Sequence, residues 1–575
     1  MTKLPDQRLR LILIMSVLAF ALVVGRAVYI QVVQASALAA KARGQQNTTI
    51  VIPTYRGRIL DSTGQPLAQD VAAKDLMVHP AAVQDPVLEA SFIAQMLGYK
   101  PKHKKAFHAE VKLLGARLTP PAEEARVVPQ LSSAIAAKIM ASKPAGLFLA
   151  DSVRRDYPTR QQASQLIGYT DFANSGQDGA GIEQQYNAVL AGRSGERLEV
   201  RGPGGVSLDT ITLRASRPGR DVQLTIDRAI QAKVQSVLNG TVKQFKAHSA
   251  TAIVLNPKTG AIMAMASAPA YDNNAVHQLP ARRFHDMTQN MAVEYSYEPG
   301  STFKVVTMAA ALTNHIVDPW TTFNNLPYQI KVGDKIVHDD VLRPPKTFTV
   351  RQILQESSNV GTVTIARMVG RTLLSQWIDK FGFGHTSGVG LPGEAPGILL
   401  PPDKWYDSSI GNIPIGQGIA VTPMQMAAMY SAIANGGVLV QPHVVKRIQG
   451  QTARRVASRR ILDATTDRRL VNMLKGVVDT ATGTGTRAAV PGYTVAGKTG
   501  TAQKALAHGL GYSTTNYVAS FVGFLPADDP QLEVLVVVDS PRGNIFGGIV
   551  AAPAFQQIAS SLTQLLAIPP DRSPN

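Results

Sequence analysis

The stretch Tyr517–Pro541, "YVASFVGFLPADDPQLEVLVVVDSP", decides the fold. Two apolar runs flank the turn Pro526–Pro530, which predicts a hairpin. Val534–Val538 is apolar at every position instead of alternating, so this strand is expected to be covered on both faces. Upstream, "TAIVLNPKTGAIMAMASAP" shows the same pattern, two apolar stretches around "NPKTG", and predicts another hairpin. A helix with an acidic first turn, "LTIDRAIQAKVQSVLNGTV", precedes that hairpin, and helices follow the last one. Hairpins at both ends of a helical middle predict an α+β domain, an antiparallel sheet covered by helices.

The rest of the chain divides around this domain. At about 150 residues per unit, 575 residues allow three or four units. "RGRILDSTGQPLA" (56–68) reads as strand, turn and strand, while "VLEASFIAQML" and "LSSAIAAKIMAS" carry helical periodicity. "RPGR" at 217–220 marks a break. The expected organisation is a short tail over 1–10, an apolar anchor over 11–33, a mixed α/β domain over 45–218, the main domain over 219–567 and a loose tail over 568–575.

Leu11–Gly25, "LILIMSVLAFALVVG", follows Lys3, Arg8 and Arg10, and "AVYIQVV" resumes after Arg26. The uninterrupted run is shorter than the roughly 20 residues that span a bilayer, so a secretory signal peptide competes with a transmembrane helix. Arg26 can snorkel to the headgroups while Tyr29 sits at the interface, and this favours the anchor. Basic residues before the run place the N-terminus in the cytoplasm, so everything after about residue 40 is expected to be exported.

The composition removes several chemistries. There is no cysteine, which excludes thiol nucleophiles, thiolate metal sites and disulfides. The net charge of +18 would suit nucleic acid, yet the basic residues are scattered and no nucleic-acid-binding motif accompanies them. Covalent catalysis must therefore use oxygen or nitrogen.

"YEPGSTFKVVTMAAALTN" (Tyr297–Asn314) offers both. Ser301 follows Pro299-Gly300 at a predicted helix start, and Lys304 lies one turn on, inside an apolar segment. A hydroxyl needs a base within reach and donors for the developing oxyanion. Lysine serves as that base only if its pKa falls from about 10.4, through burial and through a second cation nearby. A lone Ser-x-x-Lys match is equally a capped helix whose lysine reaches solvent. Its company decides: "ESSNVGTVTIAR" supplies Ser357 and Asn359, and "VAGKTGTAQK" supplies Lys498, Thr499, Gly500 and Thr501. Lys498 is the candidate second cation, and Gly500 would let a ligand approach an edge strand closely. An earlier Lys-Thr-Gly, Lys258–Gly260, precedes the serine and reads as the turn of the first hairpin.

These three motifs, in this order, are those of penicillin-binding proteins and class A β-lactamases. The chain resembles the class B penicillin-binding proteins, the membrane-anchored peptidoglycan D,D-transpeptidases. The likeness runs through "AVYIQVV", "RGRILDSTGQPLA", "RRDYPTRQQASQLIGYT", "GAGIEQQYNAVLAGRSG", "PGRDVQLTIDRAIQ", "GQGIAVTPMQMAAMYSAIANGG" and "FGGIVAAPAF". Within the class, "SYEPGSTFK" and "SSNVG" resemble the division-specific, FtsI-type septal enzyme more than the elongation- or sporulation-specific ones.

The resemblance implies Ser301 as nucleophile, Lys304 as its base, Ser357 and Lys498 as a proton relay and Asn359 as the group holding the substrate amide. It implies that Thr499 and Thr501 bind the terminal carboxylate, with the N–H groups of Ser301 and Thr501 as oxyanion hole. Implied partners are stem pentapeptides of peptidoglycan, β-lactams, an FtsW-type lipid II polymerase and bitopic division proteins, with no metal or organic cofactor. The implied location is the bacterial cytoplasmic membrane, crossed once, and residues 45–218 resemble the family's pedestal. An elongation- or sporulation-specific transpeptidase of the same class, a D,D-carboxypeptidase or β-lactamase, and a catalytically silent division scaffold are the competing readings. No glutamate between Asn359 and Lys498 is a persuasive water activator, and the nucleophile, base and lysine motif are all intact.

Overall fold

Val534–Val538 lies where an all-apolar strand should, at the centre of a sheet. The structure, a computed structural model, describes residues 5–122, 124–170, 179–202, 207–451, 455–506 and 511–573. In chain order the main elements are helix α1 (Arg228–Phe245), strands β1 (Ser249–Leu255) and β2 (Ile262–Ala268), and helices α2 (Lys304–Thr313) and α3 (Pro423–Ala434). Strands β3 (Ala496–Ala505), β4 (Tyr512–Leu525) and β5 (Leu532–Asp539) and helix α4 (Ala552–Leu565) follow. The five strands form one open sheet in the order β2-β1-β5-β4-β3, every neighbouring pair antiparallel.

Strand β5 explains its own sequence. Val534, Val536 and Val538 enter one core with Ile230 and Val234 of α1 and Phe555 and Ile558 of α4. Leu535 and Val537 enter the opposite core with Val305 and Val306 of α2 and Met424 of α3. Helices cover both faces, so no position can be polar cheaply; each fully buried side chain of this size contributes about 1.5–3 kcal/mol. Local signals fix the rest. Asp227 caps α1, accepting from the N–H groups of Ala229 and Ile230. Between β1 and β2, Asn256 Oδ1 accepts from the N–H groups of Lys258 (3.0 Å) and Thr259 (3.1 Å), and Gly260 has a φ of +73°. The first Lys-Thr-Gly run is a turn.

Contacts divide the chain into two compact units, one comprising 56–71, 154–191 and 220–575, the other 1–55, 72–153 and 192–219. The break at 217–220 is thus one of several crossings. In the larger unit, three stretches quoted above meet in a buried charge network. Glu183 accepts from Arg56 Nε (2.6 Å) and Arg155 Nε (2.7 Å), and Arg155 Nη1 also reaches Asp70 (3.1 Å). Arg56 adds a bond to Asn187 Oδ1 (2.6 Å). These side chains are conspicuous in the sequence, and their work is structural.

In the smaller unit, Asn47–Ile52, Gly195–Arg201 and Ser207–Arg214 form a three-stranded antiparallel sheet. A separate core gathers Leu76, Val78, Ile93, Leu114, Val127 and Ile139 from strands and from the helices Pro86–Met96, Lys104–Leu118 and Ser133–Ala141. The chain's N-terminal run is helical across Arg26, and Gln7–Val33 is long and apolar enough to cross a bilayer. The Arg26 guanidinium lies 5.6 Å from the centre of the Tyr29 ring.

Replacing one partner of a buried ion network strands the other charge. Glu183→Ala should lower the unfolding free energy of the larger unit by about 3–5 kcal/mol in chemical denaturation, whereas a surface pair would lose under 1 kcal/mol.

Candidate active site

Ser301 sits in a 3₁₀ turn, Gly300–Phe303, and α2 begins only at Lys304. With three residues per turn, the two side chains stack on one face. Ser301 is half-buried, while Lys304 is completely buried. The Lys304 ammonium donates to the carbonyl oxygen of Ser357 (2.5 Å), to Ser357 Oγ (3.1 Å) and to Asn359 Oδ1 (2.6 Å). Its donors are thus spent on the Ser-x-Asn segment, and the direct Ser301–Lys304 pairing expected from the spacing is not formed at rest. Catalytic hydrogen bonds commonly tighten only once substrate is bound.

The Ser-x-Asn segment is strained into place. Ser357 adopts a φ of +60°, a conformation that serine rarely takes. Ser358 caps the helix Asn359–Val369 through Gly361 N–H (3.0 Å) and donates to the Asp339 carboxylate (3.0 Å). Asp339 also accepts from Val360 N–H (3.0 Å) and from Arg343 Nη2 (2.6 Å).

Opposite stands β3, the edge strand that carries Lys498–Thr501. Lys498 is completely buried and donates to the Thr499 carbonyl and hydroxyl oxygens, both at 3.2 Å. Thr499 Oγ1 lies 2.8 Å from Thr484 Oγ1, and Thr501 Oγ1 accepts from Gly547 N–H (3.1 Å). The strand abuts the serine turn through glycines. A Cβ on Gly500 would stand 2.3 Å from Ser520 Oγ and 2.9 Å from the Pro299 oxygen; one on Gly300, whose φ is +57°, would stand 2.7 Å from the Thr501 oxygen. Only residues without side chains allow this approach.

Burial lowers the Lys304 pKa to about 8, against the pull of the Asp340 and Asp339 carboxylates. Lys498 is held well below the ordinary lysine value, first by burial and then by the charge on Lys304. The second cation expected to discharge Lys304 is present, but burial does that work, and the repulsion falls on Lys498.

Ser301, Ser357, Thr499 and Thr501 line one cleft of about 720 Å³, with Arg343, Lys346 and Arg487 also on its walls. Asp339, Asp340 and Glu356 line it as well, Arg343 pairing with Asp339 (2.6 Å) and Lys346 with Glu356 (2.7 Å), so the cleft carries both signs of charge. A second cavity of about 750 Å³, beside Asp379, His385 and Arg459, contains none of these residues. All the motif residues named from the sequence therefore fall in or directly behind one cleft.

The penicillin-binding protein transpeptidase domain family matches residues 250–560, and the penicillin-binding protein dimerisation domain family matches residues 51–224. The chain belongs to the class B penicillin-binding proteins. It is 34% identical to the probable peptidoglycan D,D-transpeptidase PbpC of Pseudomonas aeruginosa, over 98% of this chain and 96% of that one. It is 30% identical to the peptidoglycan D,D-transpeptidase FtsI of Escherichia coli K12, over 96% of this chain and 91% of that one. The crystal structure of penicillin-binding protein 3 of Mycobacterium tuberculosis in complex with aztreonam superposes with a TM-score of 0.69 at 29% identity, covering 91% of this chain and 98% of that one.

In this penicillin-binding protein the motif residues rest on groups that pattern reading passes over. Asp339 and Asp340 stand in "IVHDDV", eighteen and seventeen positions before Ser357, and Asp339 has a local partner in Arg343, four positions on. Their only sequence signal is a pair of adjacent carboxylates in a protein otherwise rich in cations.

Removing Asp339 takes the shared carboxylate from the Arg343 guanidinium, the Ser358 hydroxyl and the Val360 N–H and frees the Ser-x-Asn segment to shift. Asp339→Ala should slow acylation by a β-lactam on the order of tenfold to a hundredfold, measured by stopped-flow with a chromogenic cephalosporin. An unchanged rate would mean that the segment holds its geometry without that carboxylate.

Proposed function

We propose that the cleft forms and resolves a Ser301 acyl-enzyme on peptidoglycan stem peptides, as a serine D,D-transpeptidase, with septal wall synthesis as its setting. One observation carries this reading: two buried lysines, both pushed toward the neutral form, flank the cleft into which Ser301 opens. At a pKa of about 8, about one-tenth of Lys304 is neutral at pH 7, roughly two hundred times more than for an ordinary lysine. That fraction makes it a competent base.

In the forward reaction Ser301 Oγ attacks the carbonyl carbon of the penultimate D-alanine of a stem pentapeptide and gives its proton to Lys304 Nζ. The N–H groups of Ser301 and Thr501 receive the oxyanion as the tetrahedral centre forms. The carbon–nitrogen bond then breaks, the departing D-alanine nitrogen takes a proton relayed by Ser357 and Lys498, and an ester on Ser301 remains. An amine from a neighbouring stem peptide attacks the ester, its proton returns through Ser357 and Lys498 to Lys304, and Ser301 Oγ takes that proton from Lys304 as the ester C–O bond breaks and the new amide remains. Asn359 holds the donor amide, and Thr499 and Thr501 hold the terminal carboxylate. A β-lactam enters the same path, its strained amide in place of the D-alanyl-D-alanine bond.

The apolar N-terminal helix anchors the chain, with the N-terminus cytoplasmic and the cleft outside. The septal assignment rests on the "SYEPGSTFK" and "SSNVG" segments, and the partners it implies are an FtsW-type polymerase in the same membrane and bitopic division proteins.

Incubating the full-length chain in detergent with a fluorescent penicillin should give one adduct, on the peptide containing Ser301. Ser301→Ala should abolish it, and Lys304→Ala should slow it at least about a hundredfold. A folded parent that takes no label, or takes it elsewhere, would contradict the mechanism and favour a silent scaffold.

A further inference from the structure

Three residues before the nucleophile, Glu298 does something the reaction above does not use. Its Oε1 accepts from Gly418 N–H (2.9 Å) and from the Tyr512 hydroxyl (3.1 Å), while its Oε2 is buried with no hydrogen-bond partner. The two donors come from separate parts of the unit. Gly418 ends the segment Gly416–Gly418, where Gly300 N–H donates to the Gly416 oxygen (3.0 Å) and a Cβ on Gly416 would lie 2.1 Å from the Gly300 oxygen. Tyr512 opens β4, opposite Ala505 at the far end of β3. One carboxylate oxygen thus joins the serine turn, the segment packed beneath it and the hairpin that carries Lys498–Thr501.

The surroundings say what kind of group this is. No cation pairs with Glu298 among the described residues, and the titratable side chain that faces it is Tyr512. Burial raises its carboxyl to about 7. A carboxyl kept only for its charge would be given a cation or water; this one has neutral donors. Its value to the fold is an acceptor atom at a fixed place.

We propose that Glu298 is a positioning residue for acylation: through Oε1 it holds the Ser301 turn and the β3–β4 hairpin at the spacing the oxyanion needs. The turn and the strand touch at Gly300 and Thr501, and the groups that receive the oxyanion are the N–H groups of Ser301 and Thr501, one from each side of that contact. A small relative slide of the two sides separates the two donors without removing either. The inference rests on the reading of Ser301 as nucleophile and oxyanion donor.

The test compares acylation of the full-length chain in detergent by a fluorescent penicillin, resolved into the dissociation constant of the initial complex and the rate of the covalent step. Glu298→Ala and Tyr512→Phe should each slow the covalent step, the first by roughly ten- to a hundredfold, with the initial complex weakened by less than about twofold. Glu298→Gln keeps an Oε1 acceptor and loses only the ionisable group, so it should stay within about threefold of the parent. A parent-like covalent step in Glu298→Ala would overturn the proposal. So would a Glu298→Gln as slow as Glu298→Ala, which would assign the effect to charge. Should Glu298→Ala not fold, the Glu298→Gln and Tyr512→Phe pair decides: a slow Phe variant beside a fast Gln variant supports the link, and equal rates overturn it. A parent that fails to label on Ser301 would overturn the reading of the site and this proposal with it, an outcome visible before any variant is compared.

Discussion

Two lysine side chains sealed into the protein beside one cleft are the constraint on which the rest of the structure depends. An ammonium taken out of water loses several kcal/mol of solvation, and the protein recovers it only with acceptors or by letting the proton leave. Lys304 is given three acceptors, all on the Ser357–Asn359 segment, and Lys498 only the two oxygens of its neighbour Thr499. Burial pushes both toward the neutral form; the Asp340 and Asp339 carboxylates pull Lys304 back, while the charge on Lys304 pushes Lys498 further. Lys304 stays near the edge of ionisation, and Lys498, facing it, is driven further toward neutrality. Two residues of one type are thus given different proton affinities by burial and by the charges around them.

The fold supplies the sealing. The serine turn, the Ser-x-Asn segment and the edge strand are far apart in the chain, and each is held by a rigid element: α2, the helix Asn359–Val369 and the five-stranded sheet. The sheet can carry a buried lysine at its edge because its centre is apolar on both faces and covered by helices. The glycines at 300 and 500 then let backbone meet backbone where side chains would hold the turn and strand apart. Strain is accepted where it helps, at the positive φ of Ser357, and is balanced by Asp339, which fixes the next residue and the start of its helix.

Much of this could be read from the sequence, for definite reasons. Val534–Val538 announced a strand covered on both faces because no other environment tolerates such a run. Asn256 and Gly260 marked the first Lys-Thr-Gly as a turn because both residues have local geometric roles. The motif residues were legible as a set because their chemistry needs those side chains. Their mutual geometry was not: spacing suggested a serine–lysine hydrogen bond, whereas the resting lysine prefers the stronger acceptors across the pocket. Asp340 and Glu298 were missed because their partners lie 19 and 214 positions away, at Asn359 and Tyr512, and Asp339 because its bond to Ser358 spans 19 positions while its pair with Arg343, four positions on, has no helix to give that spacing meaning. The network of Arg56, Asp70, Arg155 and Glu183 was visible only as conspicuous stretches, since charge pairing over 127 positions leaves no periodicity.

Burial discharges Lys304, and the pH dependence of the parent's acylation reads that discharge most directly. The covalent rate with a penicillin whose own groups do not titrate in the range should rise with pH and level off, with a midpoint near 8. A midpoint at or above about 10, the value of an ordinary lysine, would contradict the account, because Lys304 would then be as well solvated as a surface residue.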